Sequence, residues 1–336
     1  MGIAARSFGT FGDERVDQFT LASETGVAVD ILTWGVTVRD WRVPVAGGVR
    51  SVVLGFDSFA PYPGHSPHLG ALAGRVANRI RGAAFALDGV ACTLPANDGR
   101  NCLHGGPGGL GRLVWRAEPD AAANAVAFTH LSPDGAMGFP GNVEFRAVYS
   151  LRGNQLSLEF SATTDRTTPI SLVQHHYFNL GEGPDVLDHR LQVEAGAFTE
   201  LDAELLPTGV IRPVTGTPYD FTATRTLRDA AGGPIDCDIN LVLDPVRDTR
   251  NPVATVTGPD GALTLRLWTD RPGLQVYDGV TTDVAVPGLG GRRYGRHSGL
   301  CLEDQAFPDA VHHRHFPSVW HTPERPYSHW CAIEIG

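Results

Sequence analysis

Glycine and proline interrupt this chain so often that long helices have little room. The 336 residues include 40 Gly and 24 Pro, spread throughout, and both residue types weaken helix interiors. Between them lie short runs that alternate apolar with polar residues, the two-residue period of a strand with one buried face. Residues 27–34 and 36–45 are two such runs, separated by Gly35, and 113–117, 125–131, 143–151, 156–162, 263–268 and 330–335 continue the series. Residues 85–87 and 90–94 flank Asp88-Gly89, a pair suited to the positive φ angles of a tight hairpin turn. Many short strands with turn signals between them predict an all-β fold, an antiparallel sandwich or barrel. The polar segment 244–259 reads as a long loop. No composition shift, low-complexity linker or fixed-period repeat divides the chain, so residues 1–336 are expected to form a single domain.

The formal charge is −10, from 37 acidic against 27 basic residues. An acidic chain with no basic block argues against nucleic acid and against a membrane surface as partners, and no apolar run approaches the ~18 residues of a membrane span. A neutral small molecule fits better. The five cysteines, at 92, 102, 237, 301 and 331, are odd in number and form no Cys-x-x-Cys pair. Neither a zinc ribbon nor a disulfide framework is expected, but unpaired thiols in a reducing compartment. The first residues show no basic leader followed by an apolar stretch, so no signal peptide is expected, and the lack of an Asn-x-Ser/Thr site also fits a cytoplasmic location.

Several segments carry potential chemistry. Ser171–Leu180 contains His175 and His176 beside aromatic and amide side chains, and imidazole titrates near neutrality. A core histidine is the alternative reading of that stretch. Gly74-Arg75-Val76-Ala77-Asn78-Arg79-Ile80-Arg81 offers guanidinium forks and an amide, natural readers of hydroxyls, with at least one arginine expected to tie loops together. Leu103-His104-Gly105-Gly106 places glycines where backbone can approach a ligand closely. Cys301-Leu302-Glu303-Asp304-Gln305 puts two acids at the end of an apolar run, where a partly desolvated carboxylate makes a general base; for Asp304 and Asp309 a structural role is expected. Asp238-Ile239-Asn240 alone is ambiguous, since such residues also make turns. The glycines of 106–111 match the letters of a dinucleotide fingerprint but precede a strand-like run, not a helix, so the nucleotide reading is rejected. His312-His313-Arg314-His315 is too local for a typical zinc site and reads as exposed loop.

Taken in order, these segments resemble the aldose 1-epimerase (galactose mutarotase) family. Its Gly-Arg-x-x-Asn-Arg-Ile pattern is matched at residues 74–80, Leu-His-Gly-Gly at 103–106, His-x-Tyr-Phe-Asn-Leu at 175–180, Asp-x-Asn at 238–240, Gln-Val-Tyr at 275–277 and Leu-Glu-x-Gln with a following Pro-Asp-Ala at 302–310. The resemblance implies a large antiparallel β-sandwich with a sugar site on its concave face. It carries over Asn78, Arg79, His104, Tyr177, Asp238 and Gln275 as substrate-binding residues, Glu303 as the base and His175 as the acid. Arg75, His176 and Tyr277 stand as further candidates. It implies an isomerase that opens and recloses a free hexose or pentose, with no metal or redox cofactor. The partner is then a monosaccharide, and the chain a monomer or weak homodimer. Departures from the family pattern are Gln174 in place of Asn, Ile239 and Leu241 in the Asp238 segment, and Asp304 beside Glu303; if Asp304 faces the site, it raises the base's pKa by like-charge repulsion. Rival readings are a mutarotase for a phosphorylated or unusual sugar, disfavoured by the lack of an extra basic cluster, and a non-catalytic sugar-binding sandwich, which needs no acid/base pair. A glycoside hydrolase would want two flanking carboxyls, where this chain offers a carboxylate and an imidazole.

Overall fold

The computed structural model describes residues 2–66 and 68–336. Alternation is realised as three large antiparallel sheets. The N-terminal sheet is a five-stranded meander, Gly2–Phe11, Glu14–Ala22, Ala28–Leu32, Thr37–Val45 and Gly48–Ser51. The large sheet has nine strands in the order Arg116–Asp120, Ala125–Ser132, Val143–Arg152, Gln155–Thr164, Tyr327–Ile335, Thr264–Thr269, Ala254–Thr257, Arg190–Val193 and Arg225–Thr226. The third, here called the site sheet, runs Pro207–Pro213, Ala197–Leu201, Asp238–Val242, Gly273–Tyr277 and Cys301–Gln305. Among the described residues the one α-helix is the single turn Tyr62–His65, and no helix is long and apolar enough to cross a membrane.

The period of two sets the core. Val143, Phe145, Ala147, Tyr149 and Leu151 point inward from one strand of the large sheet, and Leu156, Leu158, Phe160 and Ala162 from its neighbour. They pack into one cluster with Phe19, Val29 and Trp41 of the N-terminal sheet and with Leu274, Val276 and Leu302 of the site sheet. Burying side chains of this size contributes about 1.5–3 kcal/mol each before entropy is counted. The Asp88-Gly89 hairpin forms as expected, with φ of 50° and 79° at its two turn residues and Leu87 opposite Val90.

Two expected boundaries move. The run at 113–117 does not form one strand: Val114 bridges Trp34, with Gly35 and Trp115 bonded across to Leu113 and Thr33, and the large-sheet strand begins only at Arg116. The segment 244–259 is not all loop. Ala254–Thr257 is a strand held on both sides, by Arg190–Val193 and by Thr264–Thr269.

Candidate active site

Three neighbouring strands of the site sheet bring distant acids and amides onto one surface. Gln275 stands opposite both Asn240 and Glu303, and Tyr277 opposite both Asp238 and Cys301. Cross-strand partners share a face, so Asp238, Gln275, Tyr277 and Glu303 point one way. Ile239, Leu241, Leu274, Val276 and Leu302 point the other way, into the core. Asp304 goes with that second set. Its Oδ2 accepts from the Thr269 hydroxyl at 2.5 Å and from His329 Nε2 at 2.7 Å, both on the large sheet. Asp304 therefore bridges the sheets and does not face the site.

The histidine segment is docked to the same surface by backbone pairing. Phe178 and Leu300 exchange N–H···O bonds of 2.8 Å in an antiparallel bridge. That register sets the residue three before Phe178 opposite the residue three after Leu300. His175 Nε2 accordingly lies 3.5 Å from Glu303 Oε1. Alternation also separates the two histidines. His175 stacks on Tyr177, ring centroids 4.9 Å apart, at the cavity, whereas His176 packs against Trp41 and Phe178 in the core. The candidacy of His176 as a pocket residue is thus corrected: a one-residue step along an extended chain reverses the face.

The Gly74–Ile80 and Leu103–Gly106 segments close the opposite wall. Asn78 and His104 hold left-handed backbones, φ 62° and 52°. They are locked together, His104 N–H to Asn78 O at 3.0 Å and Asn78 N–H to His104 Nδ1 at 3.2 Å. Because Nδ1 accepts, the neutral ring carries its proton on Nε2, which is left as a donor. Gly105 has φ 82°, and a Cβ there would sit 2.1 Å from the Gly74 carbonyl oxygen, so the two motifs touch backbone to backbone. Arg79 donates from Nε to Asp98 at 2.7 Å, with Nη1 3.5 Å from Asp238 Oδ2. Gln275 Nε2 donates to the other Asp238 oxygen at 2.6 Å.

Arg75 is the structural arginine of the motif, and its candidacy as a site residue is corrected. It is buried away from the cavity and donates to Ser132 Oγ at 3.0 Å and to the carbonyls of Ser132, Pro133 and Pro140 at 2.9, 2.9 and 3.0 Å. Asp309 is also structural, accepting from the Arg81 N–H at 3.0 Å and lying 2.6 Å from His312 Nδ1.

The resulting cavity is about 150 Å³. Asn78, Arg79, His104, His175, Tyr177, Asp238, Tyr277 and Glu303 line it, while Gln275 sits behind Asp238. His68, Leu103, Thr281 and Thr282 line it too and were not anticipated. Thr281 and Thr282 follow the Gln-Val-Tyr segment closely, and Thr281 Oγ1 lies 2.7 Å from the Tyr277 hydroxyl. His68 stands six residues before the Gly74 motif, in a turn whose reach into the cavity no sequence period marks.

Burial dominates the electrostatics. It pushes the Glu303 carboxyl well above the usual range, helped by the nearby Asp238 charge and opposed by Arg79. It holds His175 well below the ordinary imidazole value, with His68 adding to the effect. Both shifts favour the uncharged forms, with the proton on Glu303; passing that proton across the 3.5 Å gap to His175 gives the carboxylate and imidazolium. Among the described residues Glu303 Oε2 is buried without a hydrogen-bond partner beside the cavity, which leaves it for a ligand. Ligand atoms of His104, His175 and Glu303 converge within 4.8 Å, close enough to hold a metal ion and also to act together on the oxygens around one carbon centre.

The sequence model of the family described as aldose 1-epimerase matches residues 17–334. A galactose mutarotase of Bos taurus is 38% identical over 334 residues, covering 97% of this chain and 96% of its own. The crystal structure of an aldose epimerase homologue from C. elegans superposes with a TM-score of 0.89 at 30% identity, covering 94% of this chain and 98% of that one. That of a galactose 1-epimerase from Lactobacillus acidophilus gives 0.84 at 25% identity, covering 99% and 98%. With the sandwich fold, a carboxyl and an imidazole face to face, and a match along nearly the whole length, the chain belongs to the aldose 1-epimerase family and is an isomerase of the mutarotase type.

Proposed function

We propose that the cavity binds one free aldose in its cyclic form and interconverts the α and β anomers, with Glu303 as base and His175 as acid. Glu303 takes the proton of the C1 hydroxyl while His175 protonates the ring oxygen; the C1–ring-oxygen bond breaks and an open-chain aldehyde forms. Rotation about C1–C2 presents the other carbonyl face. The ring oxygen then attacks C1, its proton returns to His175, and the new C1 hydroxylate takes back the proton held by Glu303. Atoms and charge balance over the cycle, and the pair ends with the single proton it began with. The observation that carries this reading is the 3.5 Å approach of His175 Nε2 to Glu303 Oε1 inside a buried cavity. Proton assistance of this kind contributes about 10²–10⁴-fold per group.

Around the pair, Asn78, Arg79, His104, Tyr177 and Asp238 read the remaining hydroxyls, and Gln275 holds Asp238 in place. Galactose is the favoured substrate, on the names of the cattle and Lactobacillus relatives, with glucose beside it. The main core cluster, which runs from Phe19 to Ile335 and draws on all three large sheets, supports one domain. Five unpaired cysteines support a reducing cytoplasm. Polarimetry on freshly dissolved α-D-glucose, α-D-galactose and α-D-xylose tests the reading. The unaltered protein is expected to speed the approach to equilibrium, and Glu303→Gln and His175→Asn nearly to abolish it while remaining folded. Full activity in both variants would remove the assigned roles.

A further inference from the structure

His68 lies against both catalytic-wall imidazoles and has no part in the ring-opening steps. Its ring centroid is 4.6 Å from that of His104 and 5.9 Å from that of His175, nearly parallel to the latter at 22°. The turn that carries it is tied to His175 by backbone bonds on either side, Gly70 N–H to His175 O and His175 N–H to Ala71 O, each 2.9 Å. Its own backbone is left-handed, φ 68°, and Gly70, two residues on, has no space for a side chain: a Cβ there would lie 2.1 Å from the Val38 carbonyl oxygen. The ring is thus fixed at the cavity wall by the same strand pairing that fixes the acid.

We propose that His68 determines substrate preference by hydrogen-bonding the substituent on C5 of the sugar, and so favours hexoses that carry a C6 hydroxyl. The inference rests on the proposed roles of Glu303 and His175. The ring oxygen has two carbon neighbours, C1 and C5. Glu303 engages C1 through its hydroxyl, and His175 engages the oxygen between them. The same ligand atoms of His104, His175 and Glu303 converge within 4.8 Å, and His68 abuts this group without belonging to it. With C1 held by that cluster, the proposed pose sets the ring's other carbon, C5, on the side of the imidazoles where His68 packs. Burial and the Arg112 charge hold His68 down to about 4, so near neutrality the ring has one N–H donor and one nitrogen acceptor. That combination matches a hydroxyl, which both gives and takes a hydrogen bond.

D-galactose, D-fucose and L-arabinose share their configuration from C1 to C4 and differ at C5, which bears a hydroxymethyl, a methyl or a hydrogen. Anomer exchange of the three is measured for the unaltered protein, His68→Phe and His68→Asn. Phenylalanine keeps a flat ring against His104 and His175 but loses both nitrogens. It is expected to lower kcat/KM for D-galactose about tenfold more than for D-fucose and L-arabinose, the scale of one lost hydrogen bond, whatever loss all three share from the strain of a bulky side chain at φ 68°. Asparagine tolerates left-handed backbone and keeps a donor and an acceptor, so it is expected to retain more of the galactose preference. Equal losses on all three sugars would overturn the proposal and make His68 a support for His175 alone. Unchanged rates, or a greater galactose preference in His68→Phe than in His68→Asn, would also overturn it. Absence of exchange by the unaltered protein would overturn the acid/base reading and this inference together, whereas exchange with a preference insensitive to His68 would overturn only the latter.

Discussion

Replacing Asp304 by asparagine separates the core face of the site strand from its reacting face. Asp304 and Glu303 are sequence neighbours on opposite sides of the sheet. The Asp304 carboxylate and the His329 ring are both buried, with side-chain exposures of 3% and 0%, and Thr269 adds a second hydrogen bond. Removing one member of a buried ion pair costs about 3–5 kcal/mol when the survivor is left charged. Asparagine keeps an oxygen acceptor at the same place, so the expected loss is nearer that of a charge-assisted hydrogen bond, about 2–3 kcal/mol. With an unfolding entropy of roughly 2 cal/mol/K per residue over 336 residues, that lowers Tm by about 3–4 °C. Differential scanning calorimetry measures the shift, and polarimetry under the same buffer measures kcat/KM, expected within about threefold of the unaltered protein. Asp304 is the last of the influences that raise the Glu303 pKa, so the pH profile moves only slightly. A hundredfold loss of activity at unchanged Tm would refute the register argument, because it would place Asp304 at the reacting atoms.

Other outcomes follow from the same geometry. Since His175 is held below its ordinary 6.5 and Glu303 above its ordinary 4.5, the pair takes a second proton only at pH well under 6.5; kcat/KM for D-galactose should stay level as pH falls through 7, and an acid limb centred at or above 6.5 would contradict this. Gly105→Ala forces a Cβ to within 2.1 Å of the Gly74 oxygen at φ 82°, so it should displace His104 and lower kcat/KM at least tenfold (roughly 1.4 kcal/mol); a steady-state rate equal to the parent's counts against the close approach. Gln275→Leu removes the 2.6 Å bond that holds Asp238 and should raise KM more than it lowers kcat, read from full saturation curves. Arg75→Met strips hydrogen bonds from three carbonyls, two of them buried, and a hydroxyl and should lower Tm without altering the relative rates on different sugars.

Local pattern made much of the architecture readable and left long-range pairing hidden. The two-residue period of 143–151 and 156–162 gave strands within a residue or two of Val143–Arg152 and Gln155–Thr164, because inward and outward side chains meet such different environments. The same period separates His175 from His176 and Glu303 from Asp304, once one member of each pair is assigned to the cavity. Arg75 and Arg79 could not be told apart by type. Arg75 is structural because Ser132 and Pro140, 57 and 65 residues on, present carbonyls to it. His329 as the partner of Asp304 depends on the pairing of the last strand, which no local signal reports. Residues 113–115 look like the start of a strand, yet Trp34 claims them for a bridge. His68 escaped notice because a turn, not a periodic run, delivers it to the cavity.

The proposed mechanism depends most directly on the pairing of Glu303 with His175, and a double-mutant cycle on anomer exchange measures it. Glu303→Gln, His175→Asn and the combined variant are compared with the unaltered protein by NMR exchange between α- and β-D-galactose, with folding of each checked by circular dichroism. Each single change is expected to lower kcat/KM by about 10²–10⁴-fold. The combined variant should fall about as far as the worse single change, since removing either member already disables the shared proton. Losses that multiply in the combined variant would show two groups acting independently and would contradict the paired mechanism.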